Sequence, residues 1–413
     1  MSFSESCVSA GVGMLTAGGK VLRRFGVAGP VLGIDSLKRA AERRTGLSDL
    51  GSWPLSEPFE RLLEAYDREA RLTTLGRVTV REMLVSQLEN LLHMEAERAA
   101  NPAIEERPIN RPVFIIGLPR TGTTLLHNLL SEDPESRVPL TFEVMFPARR
   151  PSSDAGDQIL RDKTASRLGW ANRLAPGFKR IHPMAPELPQ ECIAITANVF
   201  ASIQFHTTHD VSSYQDWFEQ SGQRLAYEFH HRFLQHLDAR RSGRWLLKAP
   251  GHLFGLDALL ERYPDAKIVQ THRDPLRVMA SMASHATVLR KAFSDEADPA
   301  AIAADWTRRW ADALDRFLQA RDRAPAEHFL DVPYESLEHE PLTAVERVYD
   351  FLGWPLRPET RAAMERHLAA NPKNKHGVHR YSLSAYGLDR DAAFTRFREY
   401  CERFAIPVQG ETG

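Results

Sequence analysis

Arg111-Pro-Val-Phe-Ile-Ile-Gly-Leu-Pro-Arg-Thr-Gly-Thr-Thr-Leu-Leu126 packs a buried strand, a glycine-bearing loop and a helix start into sixteen residues. Val113 to Ile116 is β-branched and aromatic, as strands are. Gly117 and Gly122 bracket four residues, and the apolar run that resumes at Leu125 opens a helix. The first amides of such a helix have no internal partners, and they sit at the positive end of its dipole. That arrangement binds an anion. The expected anion contacts are the Arg120 side chain and the backbone of Thr121, Gly122, Thr123 and Thr124.

The glycine spacing is that of a P-loop, G-x-x-x-x-G, but Thr123 stands where the P-loop lysine belongs, and the cation comes earlier, at Arg120. Without that lysine, and with no recognisable acidic magnesium site, the loop is poorly suited to a triphosphate. Working outward, Arg244-Trp-Leu-Leu-Lys-Ala-Pro-Gly-His-Leu253 reads as a strand and loop, residues 256–263 as a short helix, and Lys267-Ile-Val-Gln-Thr271 as a further strand running into His272-Arg-Asp-Pro275. Lys248 then falls at a strand's carboxyl edge, where open α/β sheets bind ligands. Arg273 follows the next strand, and Ser281 comes back two turns into the helix after it.

The Pro119-Arg-Thr-Gly-Thr-Thr124 string, together with the Arg273-to-Ser281 spacing, resembles the sulfotransferases that use 3′-phosphoadenosine 5′-phosphosulfate (PAPS), in particular bacterial-type members with an N-terminal helical region. The resemblance covers the core well and the N-terminal region more loosely. It implies that the glycine loop holds the 5′-phosphosulfate, that Arg273 and Ser281 hold the 3′-phosphate, and that Lys248 contacts the sulfuryl group in transfer. It further places Tyr334 beside the adenine, and Lys375, His376 and Gly377 in a C-terminal loop that closes over the nucleotide.

In the implied reaction an acceptor hydroxyl attacks sulfur and adenosine 3′,5′-bisphosphate leaves, with Lys248, Arg120 and the loop amides as electrostatic stabilisers and no metal. Cytosolic members of the family place a histidine just after the lysine. Here that position is Ala249, and the nearest histidine is His252. Other members use a glutamate shortly after the first helix, which points to Glu143 as the base, with His252 as alternative base or acceptor contact. The acceptor implied is a hydroxylated small molecule, lipid or carbohydrate. Two rival readings stay open, a P-loop kinase of a small metabolite and a non-catalytic nucleotide-binding module.

Composition fits such an enzyme. A net charge of −1 lacks the basic excess of a nucleic-acid binder. Cys7, Cys192 and Cys401 are too few and too scattered for a disulfide framework or a zinc site. No apolar run is long enough to span a membrane, and no secretory leader is evident, so a cytoplasmic protein is expected. The expected fold is α/β: a P-loop-type, mainly parallel sheet flanked by helices, with an N-terminal helical region over residues 1–110, a core over 111–360 that includes a helical insertion at 147–241, and a C-terminal segment over 361–413. Within the first region, Thr79-Val-Arg-Glu82 reads as a capping box that opens a helix ending at Asn101-Pro102. In the insertion, aromatics such as Phe200, Tyr214 and Trp170 are expected mostly in helix cores, 182–191 as a pocket loop, and His206 and His209 equally well as solvated turn residues.

Overall fold

A computed structural model describes residues 30–148, 154–174, 184–371 and 383–408. Lys375, His376 and Gly377 lie outside the described residues. At the centre is a five-stranded sheet: β1 (Val113–Gly117), β2 (Ser136–Arg137), β3 (Arg244–Lys248), β4 (Lys267–His272) and β5 (Phe329–Pro333), in the order β2-β3-β1-β4-β5. All four pairings are parallel. From β1 the chain moves out to the β2 edge, returns through β3, then crosses to β4 and β5. The crossover direction therefore reverses around β1, and the carboxyl ends of the strands there form the crevice typical of open α/β sheets.

Strand alternation divides the core in two. Phe114 and Ile116 of β1, Trp245 and Leu247 of β3, and Ile268 of β4 join one apolar cluster, whereas Val113, Ile115, Leu246 and Val269 join the other. Both faces are covered, so the strands read as nearly continuous apolar runs. The first cluster continues into the N-terminal helices α1 (Ile34–Thr45), α2 (Ser56–Arg68) and α3 (Thr74–Ala100) through Leu37, Phe59 and Leu84. It also takes in Phe200, Tyr214 and Phe229 of the insertion. Helix α4 (Thr123–Ser131) covers the second face with Leu126, Leu129 and Leu130.

Two local expectations need correction. Helix α3 begins five residues before the expected capping box: Thr73 is the N-cap, its Oγ1 accepting from the Gly76 amide at 2.9 Å. Thr79 instead lies within the helix and donates to the Leu75 carbonyl at 2.9 Å. A Cβ at Gly76 would fall 2.1 Å from the Phe293 carbonyl, so close passage of another chain segment explains the glycine. His206 and His209 are not solvated. His206 Nε2 lies 2.7 Å from Asp305 and His209 Nδ1 lies 3.2 Å from the Tyr66 hydroxyl, both rings being buried.

Candidate active site

Parallel register brings four chain segments to one edge. Gly117 ends β1 opposite Thr271 of β4, Ile115 lies opposite Lys248 of β3, and His272 lies opposite Pro333 of β5. The loop after β1, Lys248, Arg273 and Tyr334 therefore converge at the carboxyl end of the sheet.

The loop is held by close approach. A Cβ at Gly117 would stand 2.4 Å from Thr271 Oγ1 and 2.7 Å from its carbonyl, so only glycine lets the chain turn there. Thr121 Oγ1 bonds Thr271 Oγ1 at 2.6 Å and donates to the Leu118 carbonyl at 2.7 Å, tying the loop across to β4. Arg120 has φ 68° and Gly122 φ 87°. Left-handed residues interspersed in a turn let a backbone gather successive N–H groups on one side, as in anion nests. The strained Arg120 conformation is braced by Arg273, whose guanidinium donates to the Arg120 carbonyl at 2.7 Å. Gly122 caps α4 and has no side chain of its own to offer the helix's first amides.

Arg273 also lies over the Tyr334 ring, 3.8 Å from its centroid, and burial disfavours its charged form. Tyr334 opens a short helix (Tyr334–His339) after β5 rather than lying within the strand, and its ring packs beside Gly122, where a Cβ would meet it at 3.3 Å. Asp274 caps the next helix (Pro275–Phe293) by accepting from the Leu276 amide at 2.9 Å, and Pro275 takes its first turn. That helix carries Ser281, half-buried, at its second turn. Thr124 is exposed at the head of α4, whereas Thr123 is buried.

On the β3 side, Lys248 is buried and its Nζ reaches Thr124 Oγ1 at 3.3 Å and Glu191 Oε1 at 2.5 Å. Glu191 immediately precedes the short helix Cys192–Thr196, at the end of the expected pocket loop. Sequence reading did not single it out, because no spacing links it to a lysine 57 residues away. His127, on α4, was missed as well. It contacts the Leu246 carbonyl at 3.3 Å, and burial, followed by the charge of Lys248, pushes its imidazole down to about 3. His252 is fully buried and pushed to about 3 by desolvation, with its Nδ1 2.8 Å from the Tyr227 hydroxyl.

Glu143 is placed differently from these groups. Both its oxygens are held by Arg137, at 2.7 and 2.8 Å, in a pair with both side chains buried, and it also accepts from the Leu140 amide at 3.0 Å. That amide bond closes the start of the helix Thr141–Met145. Among the described residues no group of three or more His, Cys, Asp or Glu could hold a metal ion, and no helix is long and apolar enough to cross a membrane.

Residues 112–358 match the model of the sulfotransferase family. Sulfotransferase STF1 from Mycobacterium tuberculosis superposes with a TM-score of 0.79 at 34% identity, over 89% of this chain and 98% of that one. Sulfotransferase STF9 from Mycobacterium avium gives 0.84 at 26% identity, over 92% and 99%. Two curated relatives from Mycobacterium bovis and Mycobacterium tuberculosis, both named omega-hydroxy-beta-dihydromenaquinone-9 sulfotransferase Stf3, are 26% identical over 251 residues, or 59% of this chain. The match spans 62% of those relatives' length. A family match over more than half its length places this chain in the sulfotransferase family.

Proposed function

We propose that the chain moves a sulfuryl group from PAPS to the hydroxyl of a small-molecule, lipid or carbohydrate acceptor. The observation that carries this reading is the convergence of Lys248, Thr124 and Glu191 beside an anion loop that has a second cation, Arg273, at its far side. The residues fit a doubly phosphorylated nucleotide. The glycine loop and uncapped α4 suit the 5′-phosphosulfate, Arg273 with Ser281 the 3′-phosphate, and Tyr334 the base. The proposed contacts of Lys375, His376 and Gly377 complete the set. The relatives' named acceptor is a hydroxylated compound, which supports a hydroxyl acceptor here.

In this reading the acceptor oxygen forms a bond to sulfur while the bond from sulfur to the bridging phosphate oxygen breaks, and its electron pair leaves with adenosine 3′,5′-bisphosphate. Lys248, the Arg120 side chain and the loop amides offset charge on the sulfuryl and bridging oxygens, the role that preorganised donors play best in a water-poor site. For the proton we favour Glu191 over Glu143. Glu191 has a carboxylate oxygen on Lys248, the group that would face the transferring sulfuryl, whereas Glu143 would have to leave Arg137 to accept a proton. His252, held near 3, is too weak a base near neutrality and is better suited to placing the acceptor.

The test is incubation with isotopically labelled PAPS and a cell extract, followed by detection of sulfated products. Transfer that persists after exhaustive chelation supports the reading. A requirement for ATP and magnesium would favour a P-loop kinase, and tight binding of adenosine 3′,5′-bisphosphate with no transfer to any acceptor would favour a binding module. A cytoplasmic location belongs to the same proposal, to be checked by fractionation.

A further inference from the structure

His272 ends β4, one residue before Arg273, and is 4% exposed. Burial lowers its pKa, against the pull of Asp331, so the ring is neutral and carries one proton. Asp331 of β5 lies 2.8 Å from Nε2 and can only accept, which puts that proton on Nε2. Nδ1 is left as an acceptor, and the Tyr400 hydroxyl donates to it at 3.0 Å. Asp331 is fixed in turn by Arg321, which holds both its oxygens at 2.7 and 2.8 Å. Tyr400 belongs to the C-terminal helix Arg390–Arg403, and Phe404 just after it stacks on the His272 ring at 4.1 Å. Tyr400 also feels the backbone amide of Arg273.

Pro333 of β5 lies opposite His272, so Tyr334 starts from the same fixed point. Arg273 and the ring it lies over therefore both spring from strand ends tied by one chain of side chains. Arg273 serves two places, since it donates to the Arg120 carbonyl inside the glycine loop and is the cation assigned to the 3′-phosphate. We propose that Tyr400, His272 and Asp331 are positioning residues of the donor site: they fix the strand end from which Arg273 reaches both places, so the C-terminal helix sets the geometry of the two phosphate sites. The inference rests on the PAPS reading of that site and deepens it. The three residues act through Arg273 and touch no reacting atom. Contacts that merely glued the C-terminal helix to the sheet would contribute stability and leave nucleotide affinity alone.

The experiment measures calorimetric affinity for adenosine 3′,5′-bisphosphate and for adenosine 5′-monophosphate, beside the denaturant midpoint, in the full chain. Tyr400→Phe removes one oxygen from a buried aromatic surround and should fold. It is expected to weaken both nucleotides by about threefold to tenfold, the worth of one hydrogen bond. The monophosphate is included because Arg273 also holds the glycine loop. His272→Asn, too short to reach Tyr400 and Asp331 together, should act in the same direction. In an Arg273→Ala background, Tyr400→Phe should change affinity by less than about twofold, while its stability cost persists.

Wild-type affinity for both nucleotides in folded Tyr400→Phe and His272→Asn proteins, with only the midpoint lowered, would overturn the positioning role. So would a loss of affinity equally large with and without the Arg273 side chain. Wild-type protein that binds neither nucleotide would instead sink the donor assignment on which that role rests.

Discussion

Two sides of one sheet edge differ in what they are made of. Toward β4 and β5 the site is largely backbone: the Gly117–Gly122 turn, the Arg120 carbonyl that receives Arg273, and the uncapped start of α4. Toward β3 it is side chains from distant segments, Lys248 against Glu191, His127 of α4 against the Leu246 carbonyl and His252 on Tyr227. An invariant ligand part, such as a nucleotide phosphate, suits a fixed backbone cradle. A variable acceptor suits a wall of side chains, which can be exchanged without disturbing the turn.

The comparison is broken most directly through its two glutamates. Glu191→Gln should lower turnover by about 10²- to 10⁴-fold with little change in bisphosphate affinity, as loss of a general base does. Glu143→Gln should act on the fold instead. It strips a charge from a buried pair with Arg137, and such a loss costs about 3 to 5 kcal/mol, read from the denaturant midpoint. A folded Glu143→Gln enzyme without turnover, beside an active Glu191→Gln enzyme, would return the base to Glu143.

Next in size is Lys248→Ala, expected to cost about 10²- to 10³-fold in turnover, in line with other preorganised charge donors. Because Lys248 and Glu191 touch, the double variant should lose less than the product of the single losses. Full additivity would mean that the pair does not act as a unit.

These two residues also mark where the sequence stops being informative. Lys248 could be placed in advance because it ends an apolar strand, and Arg273 because it follows one, so each role depends on a few neighbouring residues. Glu191 closes a proline-broken loop, and only the folding of the insertion onto the sheet brings it to Lys248. Its contact with Lys248 is a long-range fact with no local signature. Glu143 shows the reverse: its motif position pointed to the base, but Arg137, six residues earlier, holds both its oxygens. Tyr334 reaches Arg273 from the start of a helix, since the strand ends at Pro333 and a helix follows at once.

On the β4–β5 side, Arg273→Ala should erase most of the preference for adenosine 3′,5′-bisphosphate over adenosine 5′-monophosphate. A charge-assisted hydrogen bond contributes about 1.5 to 3 kcal/mol, readable by calorimetry. Equal affinities for the two nucleotides in the wild type would remove Arg273 from the 3′-phosphate. A preference that survives the substitution would assign it to another cation.

A pH dependence of stability is expected as well, carried by buried histidines. His127 and His252 on the β3 side, with His209 deeper in the insertion, are all held by burial to about 3, against an ordinary value near 6.5. Between those two values the unfolded chain binds protons that the folded chain refuses, so unfolding is favoured as the solution is acidified. The stabilisation is fully present above pH 6.5 and is lost as pH falls toward 3, by up to about 1.4 kcal/mol per pH unit for each histidine. Denaturant midpoints at pH 7 and pH 5 should therefore differ, with the higher stability at pH 7. His252→Asn removes one of these protons, together with the contact to Tyr227, so its absolute stability falls while its slope against pH becomes shallower. His252 also feels Glu191, which favours its charged form and works against burial. Glu191→Gln should therefore leave the slope contributed by His252 as steep or slightly steeper. A slope unchanged in His252→Asn would mean that this imidazole takes up its proton as readily in the folded chain as in the unfolded one.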